Sequence, residues 1–432
     1  MYIIKELIIL TKTLAWIAVK WLQSDARRLF LKLRYNIYVG WRKKKPIAEV
    51  YLSLNDPYSY MLVQVLPLMS QRFNVEFKLL LLNDNIPGMA DNVKLWRAWA
   101  LKDANNIAKQ YGLNIIGKMP TSEALQTGQQ LWQLNKKSLE NAMQIFQQTW
   151  FDEFEDYYRF STPVITHQIK NQMRQTAKGH YMPATIYFFG DWYWGLDRLD
   201  HFEQRLITLN LAKQSPAEAY FQKNTLKLAA NAQPNAEEHE SIEVFVSIRS
   251  PYSYLGFKQA QMLSQHYQIP LVIKPVLPML MRGLPLPEIK QRYIFSDSVR
   301  EAKSLDIPFH HFTDPLGDGV MNSYRLFSYA EHKNKAEAYI QAIFEAVYVK
   351  NIDLAHQANV ERICQQLELD YIEALKYADE HDWQSWADEN QQEVTNMNFW
   401  GVPCFRYKNT AVWGQDRLWL IENEVVGETQ KD

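Results

Sequence analysis

Cysteine is almost absent from this 432-residue chain. Only Cys364 and Cys404 occur, far apart and without any Cys-x-x-Cys. Dithiol redox chemistry therefore has no visible carrier. So little cysteine also fits a reducing compartment, and a cytoplasmic location is the expectation. Net charge is nearly absent too. With 47 Lys and Arg against 48 Asp and Glu, the balance is −1, which gives no general attraction to nucleic acid. A clean apolar run is missing at the N-terminus, where Lys5, Glu6, Lys12 and Lys20 interrupt the first 22 residues. A membrane-crossing helix needs about 20 consecutive apolar residues. A cleavable signal would need a clean apolar stretch and a small-residue cleavage site, and that layout is lacking.

Apolar material in general is abundant. Hydrophobic residues make up 47% and aromatics 13% of the chain. The length exceeds one ordinary core, so two or three domains are expected. Residues 1–46 differ from the rest, with eleven Lys and Arg against Glu6 and Asp25, a local charge of +9. At helical spacing the early charges gather on one side and leave Ile, Leu and Trp on the other. Two readings fit. One is an in-plane anchor on anionic lipid at the inner face of a membrane. The other is a helical appendage packed on the protein's own domains.

The chain then writes one plan twice. Strand-like Ala48–Glu49–Val50–Tyr51–Leu52–Ser53–Leu54 precedes Asp56–Pro57–Tyr58–Ser59–Tyr60. Strand-like Ile242–Glu243–Val244–Phe245–Val246–Ser247–Ile248 precedes Ser250–Pro251–Tyr252–Ser253–Tyr254. In each case a helix and a second strand follow, then a long helical section, a β-hairpin and a last helix. Pro57 aligns with Pro251, and Pro183 with Pro403. Trp194–Gly195–Leu196–Asp197–Arg198–Leu199 aligns with Trp413–Gly414–Gln415–Asp416–Arg417–Leu418. Repetition on this scale is a duplicated domain. The expected divisions are a basic amphipathic segment at 1–46, a first domain at 47–210, a linker at 211–240 and a second domain at 241–425. Within the linker, Pro216–Ala230 reads as helical. The fold class expected is α/β: two tandem thioredoxin-like domains, each with an all-helical insertion, plus the N-terminal amphipathic helical segment.

The second repeat resembles the 2-hydroxychromene-2-carboxylate isomerases and kappa-class glutathione transferases of the DsbA-like thioredoxin branch. The residues that carry the likeness are Ser250–Pro251–Tyr252–Ser253–Tyr254–Leu255, Tyr293 with Asp297 and Arg300, and Ile307–Pro308–Phe309. Trp400–Gly401–Val402–Pro403 and Trp413–Gly414–Gln415–Asp416–Arg417–Leu418 complete the set. The resemblance implies that Ser250 donates a hydrogen bond to the glutathione thiol or thiolate. A hydroxyl at a helix N-terminus would stabilise a thiolate on physical grounds as well. The plainer reading is that Ser250 only caps the helix.

The resemblance makes Pro403 a cis-proline that presents the Val402 backbone to glutathione; an ordinary trans proline is the alternative. Gln415 and Asp416 would hold the γ-glutamyl end, or Asp416 caps a helix beside Arg417. Tyr252, Lys290, Arg300 and Asn322 are weaker substrate candidates, with Arg325 behind them. Met279–Leu280–Met281–Arg282–Gly283–Leu284–Pro285 departs from the asparagine-containing pattern of the family. Asp56 replaces the serine in the first repeat, where a carboxylate would repel a thiolate, so that repeat reads as degenerate.

The function implied is that of a glutathione-dependent isomerase or transferase acting on an aromatic or conjugated electrophile. Glutathione would be a returned cofactor, and no metal is called for. The alternatives are a non-catalytic DsbA-like binding or scaffold protein and, behind it, a thiol-disulfide oxidoreductase. The tandem arrangement would replace a homodimer of single units, and dimerisation of the whole chain stays open.

Overall fold

A computed structural model describes residues 19–22, 24–42, 45–83, 93–135, 138–154, 166–214, 218–221, 225–229 and 240–427. Most of the N-terminal apolar stretch, residues 1–18, lies outside them. Two compact units emerge. One comprises Arg28–Lys223 with Pro287–Lys290; the other comprises Met1–Arg27, Asn224–Leu286 and Gln291–Asp432.

Each unit holds one four-stranded sheet, and the topology is repeated. The first sheet has β1 (Ile47–Leu52), β2 (Glu76–Leu81), β3 (Thr185–Phe188) and β4 (Asp191–Trp194), ordered β2-β1-β3-β4. The second has β5 (Ile242–Val246), β6 (Leu271–Pro275), β7 (Cys404–Tyr407) and β8 (Thr410–Trp413), ordered β6-β5-β7-β8. In both, the first pair is parallel and the rest antiparallel. A parallel pair needs a crossover, and the helices Pro57–Arg72 and Pro251–Tyr267 supply it. β1 and β5 are central, which explains their β-branched and aromatic content: Val50, Tyr51, Val244, Phe245 and Val246 are all fully buried. Mixed α/β architecture with two sheets and many helices is thus what the repeated pattern predicts.

Between β6 and β7 the second unit inserts a helical section. It runs from the Glu288–Ser304 helix to the Trp383–Asn396 helix. Two tyrosines from this section fix the chain where it leaves β5. Tyr324 Oη accepts the Ile248 N–H at 3.3 Å, and Tyr348 Oη donates to the Ile248 carbonyl at 3.3 Å. Both hydroxyls are buried, and burial pushes both pKa values up, so they stay protonated donors.

The sequence reading fails in the linker. The described residues within 216–230 carry no helix. Their N–H groups are taken by buried carboxylates instead of by the carbonyls of a helical turn. Glu203 accepts from Tyr220 and Phe221, each at 2.7 Å, in the first unit. Glu422 accepts from Lys227 and Leu228, each at 2.6 Å, in the second. A buried carboxylate needs such donors, and a helix would have withheld them.

The Asp25–Arg42 helix follows the amphipathic N-terminal pattern. Within the first unit, Tyr35 and Tyr38 meet the Phe189 ring edge-on at 5.4 and 5.1 Å. Leu31 lies beside Gly190 at the tip of the β3–β4 hairpin.

Candidate functional site

Ser250 is the N-cap of the Pro251–Tyr267 helix, with Pro251 in the first turn where its missing N–H costs nothing. The cap is made by the Ser253 N–H, which donates to Ser250 Oγ at 3.2 Å. In that bond the hydroxyl only accepts. A serine hydroxyl also has one hydrogen to give, and among the described residues Ser250 donates to none. Ser250 is half-buried. Capping and donation to an incoming ligand are therefore compatible on this one oxygen. The turn is held from behind by Ser253 Oγ, which accepts the Ser247 N–H at 3.2 Å.

The sheet register brings the other candidates to the same end. Cys404 faces Phe245 across the antiparallel β5–β7 pair, so Val402 and Pro403 lie opposite the end of β5 from which the Ser250 turn departs. The Val402–Pro403 peptide is cis, and it is the only cis bond among the described residues. Trp413 pairs with Cys404 from β8, so Gln415 and Asp416 also follow at this end. Gly256, on the Ser250 helix, allows that approach: a Cβ there would meet the Phe405 ring at 2.7 Å and Gln415 Cβ at 3.2 Å. Gln415 is buried and its Nε2 donates to Asp416 Oδ2 at 3.0 Å, while Asp416 is half-buried. Arg417 folds back on the Asp416 carbonyl at 3.1 Å.

The weaker candidates divide. Tyr252 Oη donates to Asp297 Oδ2 at 2.7 Å, and Arg300 pairs with the other oxygen of the same carboxylate. Asp297 is fully buried, so this cluster braces the insert against the Ser250 helix. Asn322 Nδ2 donates to the Leu354 and Ala355 carbonyls, both at 3.1 Å. Arg325 pairs with Asp379 at 2.5 Å. Lys290 lies in the first turn of the Glu288–Ser304 helix, and burial lowers the pKa of its ammonium.

Arg282 was missed as a site residue by reading the sequence. The short Met279–Arg282 turn ends on Gly283, at φ 72, a left-handed conformation that suits glycine. This turn sets Arg282 Nη2 3.4 Å from the Trp400 carbonyl, beside the Val402–Pro403 loop. Arg282 is half-buried, its Nε has no hydrogen-bond partner, and burial pulls its pKa down. No ion pair to a carboxylate is present among the described residues. A buried guanidinium edge with an unused donor favours an anion. The signal in sequence was the departure of Met279–Pro285 from the family pattern.

The first unit has the same frame with its site closed. Asp56 caps the Pro57–Arg72 helix, accepting from Ser59 N at 2.8 Å and Ser59 Oγ at 2.6 Å. Ser59 Oγ accepts the Ser53 N–H at 3.1 Å, as Ser253 does for Ser247. Tyr58 Oη donates to Asp103 at 2.7 Å, the same 45-residue spacing as Tyr252 to Asp297. Yet Asp56 is 2% exposed where Ser250 is half-open, and Asp197 is 8% exposed where Asp416 is half-open. Burial pushes the Asp56 carboxyl up to about 6, against the pull of the Ser59 hydrogen bonds. Met182–Pro183 is trans. No group of three or more His, Cys, Asp or Glu able to hold a metal occurs among the described residues.

Both cysteines are buried. Cys404 Sγ donates to the Gly401 carbonyl at 3.0 Å and burial holds its thiol well up; burial pushes Cys364 up to about 12. Neither has the exposure or the lowered pKa of a redox-active thiol. A surface cavity of about 520 Å³ lies elsewhere, among Glu331, Tyr377, His381 and Trp386 of the insert, and includes none of the residues above.

Residues 241–426 match the family model of the DSBA-like thioredoxin domain. The second repeat is therefore a DSBA-like thioredoxin domain. Among solved structures, a 2-hydroxychromene-2-carboxylate isomerase is 23% identical, covering 42% of this chain and 92% of its own, with a TM-score of 0.37. The cytosolic disulfide reductase DsbM from Pseudomonas aeruginosa, solved with GSH, is 13% identical. It covers 43% of this chain and 98% of its own, with a TM-score of 0.32. At such TM-scores the likeness carries no argument about this chain. No curated protein matches the chain.

Proposed function

We propose that the second repeat is a glutathione-dependent isomerase or transferase, with Ser250 as the group that activates the glutathione thiol. The observation that carries this reading is the half-open Ser250 hydroxyl, which accepts the cap hydrogen bond and keeps its own proton to donate. The fit of glutathione to the residues present has two further supports. The orphaned Nε of Arg282 suits a carboxylate. Asp416, half-open and oriented by Gln415, suits an ammonium.

Bound glutathione would supply a sulfur nucleophile able to add reversibly to a conjugated carbonyl compound, or to displace a leaving group from it. The chain's residues do the rest. Ser250 and the first N–H groups of the Pro251–Tyr267 helix lower the energy of negative charge on sulfur. Asp416 orients the amino end through a charge-assisted hydrogen bond. Arg282 holds a carboxylate next to the Val402–Pro403 loop. Ile248, gripped by Tyr324 and Tyr348, keeps the Ser250 turn rigid.

Thermal unfolding with and without millimolar glutathione tests the proposal. The wild-type transition should rise with glutathione, as mass action requires of any ligand of the native state. Asp416→Ala should unfold near the wild-type temperature without ligand and lose that rise. A wild-type transition that ignores glutathione would overturn the reading and favour a scaffold role.

A further inference from the structure

The Asp25–Arg42 helix has two apolar faces, one buried within its unit and one largely exposed. Leu31 and Tyr35 are buried, at 5% and 7% exposure, and the Tyr35 and Tyr38 rings meet Phe189. On the other side, Leu29, Phe30, Leu33 and Ile37 are 68, 52, 55 and 63% exposed. At about 100° per residue, Leu29, Leu33 and Ile37 advance along one stripe with Phe30 at its edge, an arc of about 100°. Lys32 lies beyond one edge of the arc and Arg34 beyond the other, and both are exposed. The whole stretch from Ala26 to Pro46 contains no acid and eight Lys or Arg.

Three large apolar side chains, Leu29, Leu33 and Ile37, exposed on one helix face do not suit water. The cations on both sides say what covers them. An apolar strip flanked by Lys and Arg, on a helix too short and interrupted to cross a bilayer, matches a surface that is apolar within and anionic at its headgroups. We infer that the Leu29–Leu33–Ile37 face docks in the plane of an anionic phospholipid surface while Leu31, Tyr35 and Tyr38 tie the same helix to its own domain. The two readings of the N-terminal segment are thereby reconciled: the helix is both an appendage of the domain and an anchor. A lipid surface would then concentrate the enzyme where an apolar, conjugated substrate partitions. The docking itself does not depend on the glutathione reading.

The test is co-sedimentation of the full chain with phosphatidylcholine vesicles, with and without about 30% phosphatidylglycerol. The chain should pellet with the anionic vesicles, stay in solution with the neutral ones, and be released by about 0.5 M salt. Lys32→Glu/Arg34→Glu should cut the bound fraction roughly tenfold or more. Leu33→Glu/Ile37→Glu, both at exposed positions, should do the same without changing the thermal transition. Binding that is equal on neutral vesicles, or that survives Leu33→Glu/Ile37→Glu, overturns the inference. So does a concentration-dependent dimer abolished by Leu33→Glu/Ile37→Glu, because the face would then belong to a second copy.

Discussion

Replacing Ser250 would separate the observed cap from the donor role proposed for the same oxygen. In Ser250→Ala both are lost. The cap from the Ser253 N–H disappears, which costs about 1 kcal/mol and lowers the transition by roughly 2–4 °C for a domain of this size. The donor to sulfur disappears as well. A hydrogen bond to a charged group contributes about 1.5–3 kcal/mol, and one pKa unit is about 1.4 kcal/mol. The thiol of bound glutathione should therefore titrate about 1–2 units higher than on the wild type. In Ser250→Asp the cap survives, because aspartate is as good an acceptor there as serine, and Asp56 already caps the matching helix. Stability should then be nearly unchanged. The donor is lost, and a carboxylate about 4 Å from a thiolate adds repulsion of up to about 4 kcal/mol at an effective dielectric near 20. Ultraviolet absorbance of the thiolate, followed against pH at saturating glutathione, reads the titration directly. Thermal unfolding reads the cap. The reasoning is refuted if Ser250→Ala titrates the bound thiol where the wild type does. It is refuted equally if Ser250→Asp keeps a fully formed thiolate at neutral pH.

Two further outcomes follow from charges in the structure. Arg282→Ala should weaken glutathione binding roughly tenfold to a hundredfold, the worth of one charge-assisted hydrogen bond of about 1.5–3 kcal/mol, and should spare the binding of a glutathione analogue amidated at the glycyl end; equal losses for both would remove Arg282 from the site. Asp56 has a folded pKa raised to about 6 from an ordinary 3.8, so the folded state holds its proton more tightly than the unfolded chain. Its contribution is complete below about pH 4 and is lost as pH rises through about 6, a decline of roughly 3 kcal/mol in the first unit. Asp56→Asn should flatten that decline in urea titrations, and an unchanged pH profile would refute the assignment.

The duplicated plan was legible because it is written in backbone chemistry. A proline after Asp56 and after Ser250, and a glycine before each terminal helix, survive wherever a turn needs them. The Ser250, Val402–Pro403 and Gln415–Asp416 positions were visible for the same reason, since each begins or ends an element. What could not be read were partners set by long-range packing. The Tyr252 hydroxyl is taken by Asp297, 45 residues on, and the Asn322 amide by the Leu354 and Ala355 carbonyls. Arg282 stood in a loop whose only signal was its departure from a pattern. The linker was misread because alanine and polar residues suggested helix, whereas Glu203 and Glu422 took the backbone donors. Local propensity is a weak prior beside a buried carboxylate that must be satisfied.

The two repeats share a frame and differ where the proposed site lies. Both retain the tyrosine-to-carboxylate brace, Tyr58 to Asp103 and Tyr252 to Asp297, each at 2.7 Å. Both retain the serine that holds the strand end, Ser59 and Ser253. These contacts serve folding, since they persist where the site is closed. The differences concentrate at the surface end of the sheet. Serine gives way to aspartate, the cis peptide to a trans one, and a half-open Asp416 to a buried Asp197. Pro403 and Asp416 are kept in the first repeat as Pro183 and Asp197, but there the peptide is trans and the carboxyl is buried. The pattern separates the residues that build the frame from those that a ligand would touch. On the proposed reading, the latter are Ser250, Val402, Asp416 and the guanidinium of Arg282.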